Sequence, residues 1–212
     1  MANISRPAGE RLLRLMRIFE RHERSGGGMI TSAQIEDMTG WSRETIRKDI
    51  SFLGRAAGGS AGYEPEAMVP LIRGALELDR RKRFCIVGLG RLGSAYLRFS
   101  PPELGEFELA AGFDSNVNRI EILASSVPLY PAYKIAEVVS RFEIEIALLC
   151  IPAAAAQEAA EKCTAAGVKG ILNFAPVVLR VPPEVTVRNV FVVDELRSLS
   201  VNMGRRSRKQ ED

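Results

Sequence analysis

The hydrophobic pattern of this chain changes period near residue 80. Over residues 9–23 the apolar Leu12, Leu13, Leu15, Met16, Ile18 and Phe19 recur at helical spacing among arginines and glutamates, which predicts an amphipathic helix. Gly26-Gly27-Gly28 ends it, since consecutive glycines break a helix. Thr31-Ser32 gives an N-cap signal for a short helix with Ile35 and Met38 on its buried side, and Gly40 closes it in a tight turn. Ser42 then caps a helix over 43–53 whose Ile46, Ile50 and Leu53 share one face. Residues 54–62 have the glycine-rich composition of a flexible loop or the tip of a β-wing. Residues 66–78 form a connecting helix, and the charged run 79–83 reads as a solvated boundary.

Beyond that boundary, short apolar runs alternate with helical segments. Strands are predicted at 84–87, 108–113, 127–130, 144–151 and 168–172, with an edge built from 185–187 and 190–193. The alanine-rich segment 153–166 is a helix stopped at Gly167. A last helix covers 194–203, and 204–212 is a polar tail. Alternation of this kind predicts an α/β unit, a parallel sheet with helices on both faces, preceded by a helical unit.

The chemistry concentrates at two places. After the strand 84–87 comes Gly88-Leu-Gly90-Arg91-Leu92-Gly93, and Asp114 stands about two dozen residues further on, at the end of the second strand. The first glycine makes the strand-to-helix turn, the second lets backbone approach a pyrophosphate, and the third lets the helix pack close to the sheet. A helix N-terminus favours phosphate. An acid at the end of the second strand accepts hydrogen bonds from ribose hydroxyls and disfavours a 2′-phosphate. The second place is the order helix, short helix, glycine turn, helix, which is that of a helix-turn-helix. On its second helix Arg43 and Arg47 share a face and Lys48 flanks them, where such motifs meet the major groove and its phosphates.

Charge follows this division. Residues 1–83 carry 15 Lys and Arg against 11 Asp and Glu, and residues 84–212 carry 14 against 15. The surplus positive charge therefore sits in the first part, as a polyanionic partner requires. The 212 residues, 46% apolar, allow one or two soluble domains. No apolar stretch approaches the ~20 residues of a membrane span, and the start lacks a signal peptide's apolar centre, so a cytoplasmic protein is expected. Cys85, Cys150 and Cys163 have no metal-ligand spacing, and neither a disulfide nor a metal is expected.

Over residues 9–203 the chain resembles the Rex family of redox-sensing transcriptional repressors. The resemblance is carried by Thr31-Ser32, by Ile46-Arg47-Lys48-Asp49-Ile50-Ser51, by Gly62-Tyr63, by the run from Cys85 to Ser94, by Ile144-Glu-Ile-Ala-Leu-Leu149 and by Gly170-Ile-Leu-Asn-Phe-Ala-Pro-Val177. It implies three parts: a winged-helix DNA-binding domain with linker helix over 1–79, a Rossmann NAD(H)-binding domain over 80–193, and a dimerisation helix with tail over 194–212. It also implies a homodimer, with the last helix packed into the partner subunit, that holds a palindromic operator when NADH is scarce and releases it when NADH binds. By position, Gly88, Gly90, Arg91, Leu92 and Gly93 would surround the pyrophosphate and Asp114 the adenosine ribose. Ile151, Pro152, Asn173, Phe174, Ala175 and Pro176 would line the nicotinamide half. Arg43, Arg47, Lys48 and Ser32 would meet DNA. The chain departs from the family pattern twice. Gly59 stands where the wing tip commonly has arginine, leaving Arg55 as the candidate substitute, and Phe191 stands where many relatives carry an acid before the last helix.

Two further readings belong beside this one. A DNA-binding regulator with weak or no NADH response is favoured by Phe191, because an apolar residue cannot exchange charged partners. A small NAD(H)-dependent oxidoreductase would need a proton donor near the nicotinamide. The single histidine, His22, lies in the first helix, and the pair Tyr130 and Lys134 falls around the third strand, too early for a reductase's Tyr-x-x-x-Lys. No catalytic residue is assigned.

Overall fold

The structure, a computed structural model, describes residues 4–54, 62–99 and 104–208. It divides into two compact units, Met1–Arg80 and Arg81–Asp212.

The first unit holds α1 (Arg6–Arg24), α2 (Ser32–Thr39), α3 (Arg43–Ser51) and α4 (Pro65–Ala75). Proline in its first turn starts α1 three residues earlier than the apolar periodicity alone indicates, because proline is preset for that position. Thr31 and Gln34 form a capping box at α2: Thr31 Oγ1 accepts from the Gln34 amide at 3.3 Å, and Gln34 Oε1 accepts from the Thr31 amide at 2.8 Å. Gly40 ends α2 at φ 71°, and Ser42 Oγ accepts from the Thr45 amide at 3.2 Å to start α3. Leu12, Leu15 and Phe19 of α1 meet Ile35, Ile46, Ile50, Met68 and Ile72 in one core. Met38 is not in it. Met38 is 57% exposed, and Ile35 is the buried apolar residue of α2. Ile30 and Tyr63 exchange backbone hydrogen bonds of 2.9 and 2.8 Å as an antiparallel bridge. Arg55 and Gly59 lie outside the described residues.

The second unit is a six-stranded sheet in the order β3-β2-β1-β4-β5-β6, parallel throughout. Its elements are β1 (Lys82–Val87), α5 (Arg91–Tyr96), β2 (Phe107–Asp114), α6 (Val117–Ile122), β3 (Leu129–Pro131), α7 (Ile135–Arg141), β4 (Ile146–Leu149), α8 (Ala153–Ala165), β5 (Gly170–Asn173), β6 (Thr186–Asn189) and α9 (Val192–Arg208). Side chains alternate between the two faces of a strand, and β1 is apolar on both. Cys85 and Val87 join Phe113, Leu149 and the α7 and α8 side chains, while Phe84 and Ile86 join Leu89, Leu97 and Leu148. Ala156, Ala159, Ala160 and Cys163 are the buried residues of α8, small enough to let that helix lie close to the sheet. Full burial of a side chain such as Phe113 contributes about 1.5–3 kcal/mol.

Several boundaries differ from the expectation. Lys82 and Arg83 belong to β1 and not to a solvated run. The Arg83 guanidinium donates to the Phe142 carbonyl at 2.9 Å and lies 3.7 Å from both Glu108 and Glu143. The third strand begins at Leu129, the fourth spans only Ile146–Leu149, the fifth starts at Gly170, and the connecting helix ends at Ala75. The expected edge over 190–193 is corrected most. The edge strand is Thr186–Asn189, and Val192 and Val193 open α9. The amides of Asp194 and Glu195 donate to the Phe191 carbonyl at 3.0 and 3.1 Å, and these two acids occupy the first turn, where the helix dipole favours negative charge. That helix runs on through Arg208, into the stretch expected to be tail. Val192, Val193, Leu196, Leu199, Val201 and Met203 along it are exposed.

Candidate functional site

Strand order reverses between β1 and β4, so the loops leaving the two strands diverge and open a crevice at their carboxyl ends. Ligands of doubly wound sheets bind at such switch points. A cavity of about 670 Å³ lies there, lined among others by Gly88, Gly90, Asp114, Arg119, Ile151 and Pro152.

The three glycines of the loop do three different things. Gly88 has φ 91°, and a Cβ on it would overlap the Ile151 side chain and the Cys150 carbonyl. A Cβ on Gly93 would overlap the Gly88 carbonyl, so the glycine lets α5 close onto the turn. Gly90 differs, since a Cβ there would have no atom within 4 Å. The packing around Gly88 and Gly93 is filled by protein, whereas the space at Gly90 is open to a ligand. Gly90 is also the N-cap of α5 and brings no side-chain acceptor to that helix's first amides. The loop therefore fits a dinucleotide pyrophosphate.

Asp114 closes one side of the cavity. Its side chain is 4% exposed. Oδ2 accepts from the Leu89 amide at 2.7 Å and from Arg119 Nη1 at 2.9 Å, and Oδ1 accepts from the Asn116 amide at 2.8 Å. Burial works against its ionisation, but the Asn116 and Leu89 amides and the Arg119 guanidinium outweigh that and hold the carboxyl below its ordinary range. Burial pushes the Cys150 thiol, also on the cavity wall, up to about 12, so it stays protonated at neutral pH and offers no thiolate. On the α8 side Glu158 and Lys162 form an ion pair at 2.6 Å.

Of the residues assigned to the cofactor from sequence, Gly88, Gly90, Asp114, Ile151 and Pro152 line this cavity. Gly93 is buried beneath it. Arg91 and Leu92 are exposed on the first turn of α5. The residues from Asn173, the last of β5, to Pro176 are not among those lining this cavity. Asn173 is fully buried; its Nδ2 donates to the Val177 carbonyl at 2.8 Å and to Asn189 Oδ1 at 3.0 Å, and its Oδ1 accepts from the Ala175 amide at 3.0 Å. Phe174 packs on Tyr96 with ring centroids 5.5 Å apart, Ala175 is core, and Pro176 is exposed. Sequence reasoning missed Arg119, Ile135 and the α8 residues Ala155, Glu158 and Lys162 on the wall. Only the helical spacing of Ala155, Glu158 and Lys162 carried a signal, since it puts them on one face.

In the first unit a smaller cavity of about 430 Å³ is lined among others by Thr31, Ser32, Arg43, Arg47 and Tyr63. Ser32 is buried at the start of α2. Arg43 Nε donates to Glu36 at 2.6 Å, whereas Arg47 and Lys48 are exposed and make no ion pair among the described residues. Asp49, on the inner side of α3, accepts from Arg11 Nη2 at 2.8 Å and Nε at 2.5 Å. This bidentate bond fixes α3 against α1 with its cations outward. Burial raises the Tyr63 phenol above its ordinary value, and Arg47 opposes that rise.

Known proteins share both halves. A family profile described as "Putative DNA-binding protein N-terminus" matches residues 3–51, and one described as "CoA binding domain" matches residues 79–177. A "Redox-sensing transcriptional repressor Rex" of Thermus thermophilus is 38% identical over 90% of this chain and 89% of its own length. One from Leuconostoc citreum is 32% identical over 92% of this chain and 91% of its own. The chain belongs to the Rex family. Among solved structures, the Rex-family repressor RSP superposes with TM-score 0.85 at 27% identity, over 100% of this chain and 99% of its own. RSP crystallised with β-NAD⁺ and operator DNA gives TM-score 0.88 at 27% identity over 100% and 97%, and with β-NADH 0.86 at 28%. Rex proteins are named as transcriptional repressors, and the Cys150 thiol on the cavity wall of this member is held protonated. No helix among the described residues is long and apolar enough to cross a membrane.

Proposed function

We propose that this chain is a cytoplasmic, dimeric transcriptional repressor that reads the NADH/NAD⁺ ratio and leaves a palindromic operator when NADH binds. The observation that carries the reading is the empty space at Gly90 between two glycines whose surroundings are filled, at the switch point of a parallel sheet. Family membership supports it, as do the relatives of known structure that hold NADH, or NAD⁺ with operator DNA.

Gly88, Gly90 and Gly93 shape the backbone around the pyrophosphate, with Arg91 and Leu92 at its edge. Asp114 holds the loop through the Leu89 amide and presents its remaining acceptor capacity to the ribose. Ile151 and Pro152 give the nicotinamide an apolar wall, with Asn173, Phe174, Ala175 and Pro176 at the neighbouring strand end. Residues 1–79 form the DNA-binding domain, 80–193 the nucleotide domain and 194–212 the dimerisation segment. The exposed Val192, Leu196, Leu199 and Met203 of α9 are the surface that a second copy covers. Arg43, Arg47 and Lys48, with Ser32 beside them and Arg55 as a further candidate by sequence position, meet operator phosphates and base edges.

NADH supplies the switch by binding one of two subunit arrangements more tightly. Moving the population from 99:1 to 1:99 takes a preference of about 10⁴, roughly 5.5 kcal/mol. The oxidised ring carries a positive charge, costly to desolvate against Ile151 and Pro152, which favours the reduced form. Retardation of a palindromic operator fragment with each nucleotide tests the reading. NADH is expected to release the fragment and NAD⁺ to leave it bound. Equal effects of the two would remove redox sensing and leave the DNA-binding regulator without an NADH response, the reading Phe191 favours.

A further inference from the structure

The cations of α3 fall into two kinds. Arg47 and Lys48 are exposed and make no ion pair among the described residues. Arg43, the first residue of the helix, is held: its Nε donates to Glu36 of α2 at 2.6 Å. Its Nη1 and Nη2 donate to no group among the described residues. A bond at Nε fixes the plane of a guanidinium and leaves the two terminal nitrogens as a ready fork. Arg43 also stands at the N-terminal end of α3, the end from which such motifs reach base edges. It lines one cavity with Arg47 and with Thr31 and Ser32 at the start of α2. Duplex DNA offers that fork two kinds of acceptor. A phosphate draws a guanidinium by net charge, and the Glu36 carboxylate both cancels that charge and repels the phosphate. Glu44, in the same first turn, adds a second acid. A guanine edge asks for aligned donors instead of net charge, since its O6 and N7 are neutral acceptors spaced for an arginine fork.

We propose that Arg43 reads one guanine in each operator half-site through Nη1 and Nη2, and that Glu36 is the positioning residue that aims it. Arg47 and Lys48, which keep their full charge, are left to attract the phosphates. The inference rests on the operator-binding reading given above.

Selection of bound duplexes from a randomised DNA pool by the full-length chain, with NAD⁺ present, supplies the fragment for the test. Gel retardation then compares that fragment with copies in which each G·C pair in turn becomes A·T. The wild type is expected to show one G·C pair per half-site whose replacement weakens binding at least about fivefold and whose discrimination depends on Arg43. In Arg43→Ala the same replacement should cost less than about twofold, with the penalties at other positions unchanged. Glu36→Ala should lower discrimination at that pair alone and strengthen binding to an unrelated duplex, because an acid facing the phosphates is gone. Glu36→Gln, which keeps a neutral acceptor in place, should retain more of the discrimination than Glu36→Ala. An Arg43→Ala variant that weakens every fragment equally and flattens the salt slope by about 1 makes Arg43 a phosphate contact and overturns the proposal. So does a Glu36→Ala variant that discriminates as the wild type does. Either result leaves operator binding intact. If the wild type enriches no duplex, the operator reading falls first and the proposal with it.

Discussion

Each unit of the molecule has an acid buried almost completely, and the two are held in opposite ways. Asp49 of α3, 1% exposed, is gripped by one side chain, the Arg11 guanidinium from α1. Asp114 at the end of β2 is gripped mainly by backbone, the Leu89 and Asn116 amides, with Arg119 added from solvent. A carboxylate held by another helix's side chain sets the angle between helices. One held by loop amides sets the shape of the loop. The first therefore orients the exposed Arg47 and Lys48, and the second preserves a cavity whose useful features are backbone. Function is written in side-chain charge in one unit and in the absence of side chains in the other.

The largest contrast should come from removing the cation of each pair. Arg11→Ala leaves Asp49 buried without its partner and should cost about 3–5 kcal/mol, read as a fall in the chemical denaturation midpoint of the full chain. Arg119→Ala leaves Asp114 its two amide donors and should move that midpoint far less. Equal losses would show that the two acids are held alike.

Next come the glycines. Gly93→Ala forces a Cβ onto the Gly88 carbonyl and should cost about 1–3 kcal/mol as overpacking. Gly90→Ala enters open space with φ −67°, so stability should hold while NADH affinity measured by fluorescence titration falls. The reverse order would sink the view that Gly90 is the ligand's glycine.

Arg47→Ala should leave unfolding unchanged. It should weaken operator binding by about 1–3 kcal/mol and, if the contact is to phosphate, flatten the slope of log K against log salt by about 1. Gel retardation across a salt series checks it.

The smallest effect is on pH. A carboxyl depressed in the folded state contributes stability that is fully present above its unfolded value, about 3.9, and is lost as pH falls through the lower folded value. The stability gap between the wild type and Asp114→Asn should accordingly be flat above about pH 4 and close below it. A gap that persists unchanged at the acid end would mean that packing, not charge, makes Asp114 matter.

The sequence shows much of this where a local rule and the tertiary fold agree. Thr31, Gly40 and Ser42 are caps legible as such, and each makes the bond or the positive φ its residue type allows. The apolar run at β1, buried on both faces, and the glycine spacing after it name the crevice before any coordinates do. What stays hidden depends on partners distant in sequence or on competition between local rules. The valine- and phenylalanine-rich run Val190-Phe191-Val192-Val193 reads as strand, yet a helix with Asp194 and Glu195 in its first turn begins inside it at Val192. Met38 has helical spacing with Ile35, but α1 reaches only one of them. Arg119 carries no motif, since only the folding of α6 back beside β2 brings it to Asp114. Asn173 has no signal for its three bonds in a stretch otherwise read as ligand wall.

Cys150 stands on the wall of the crevice as an un-ionised thiol. Peroxides and other electrophilic oxidants attack thiolates far faster than thiols, so at neutral pH burial makes Cys150 a slow target for them. The crevice carries a sulfur on its wall without carrying a peroxide sensor's reactive thiolate.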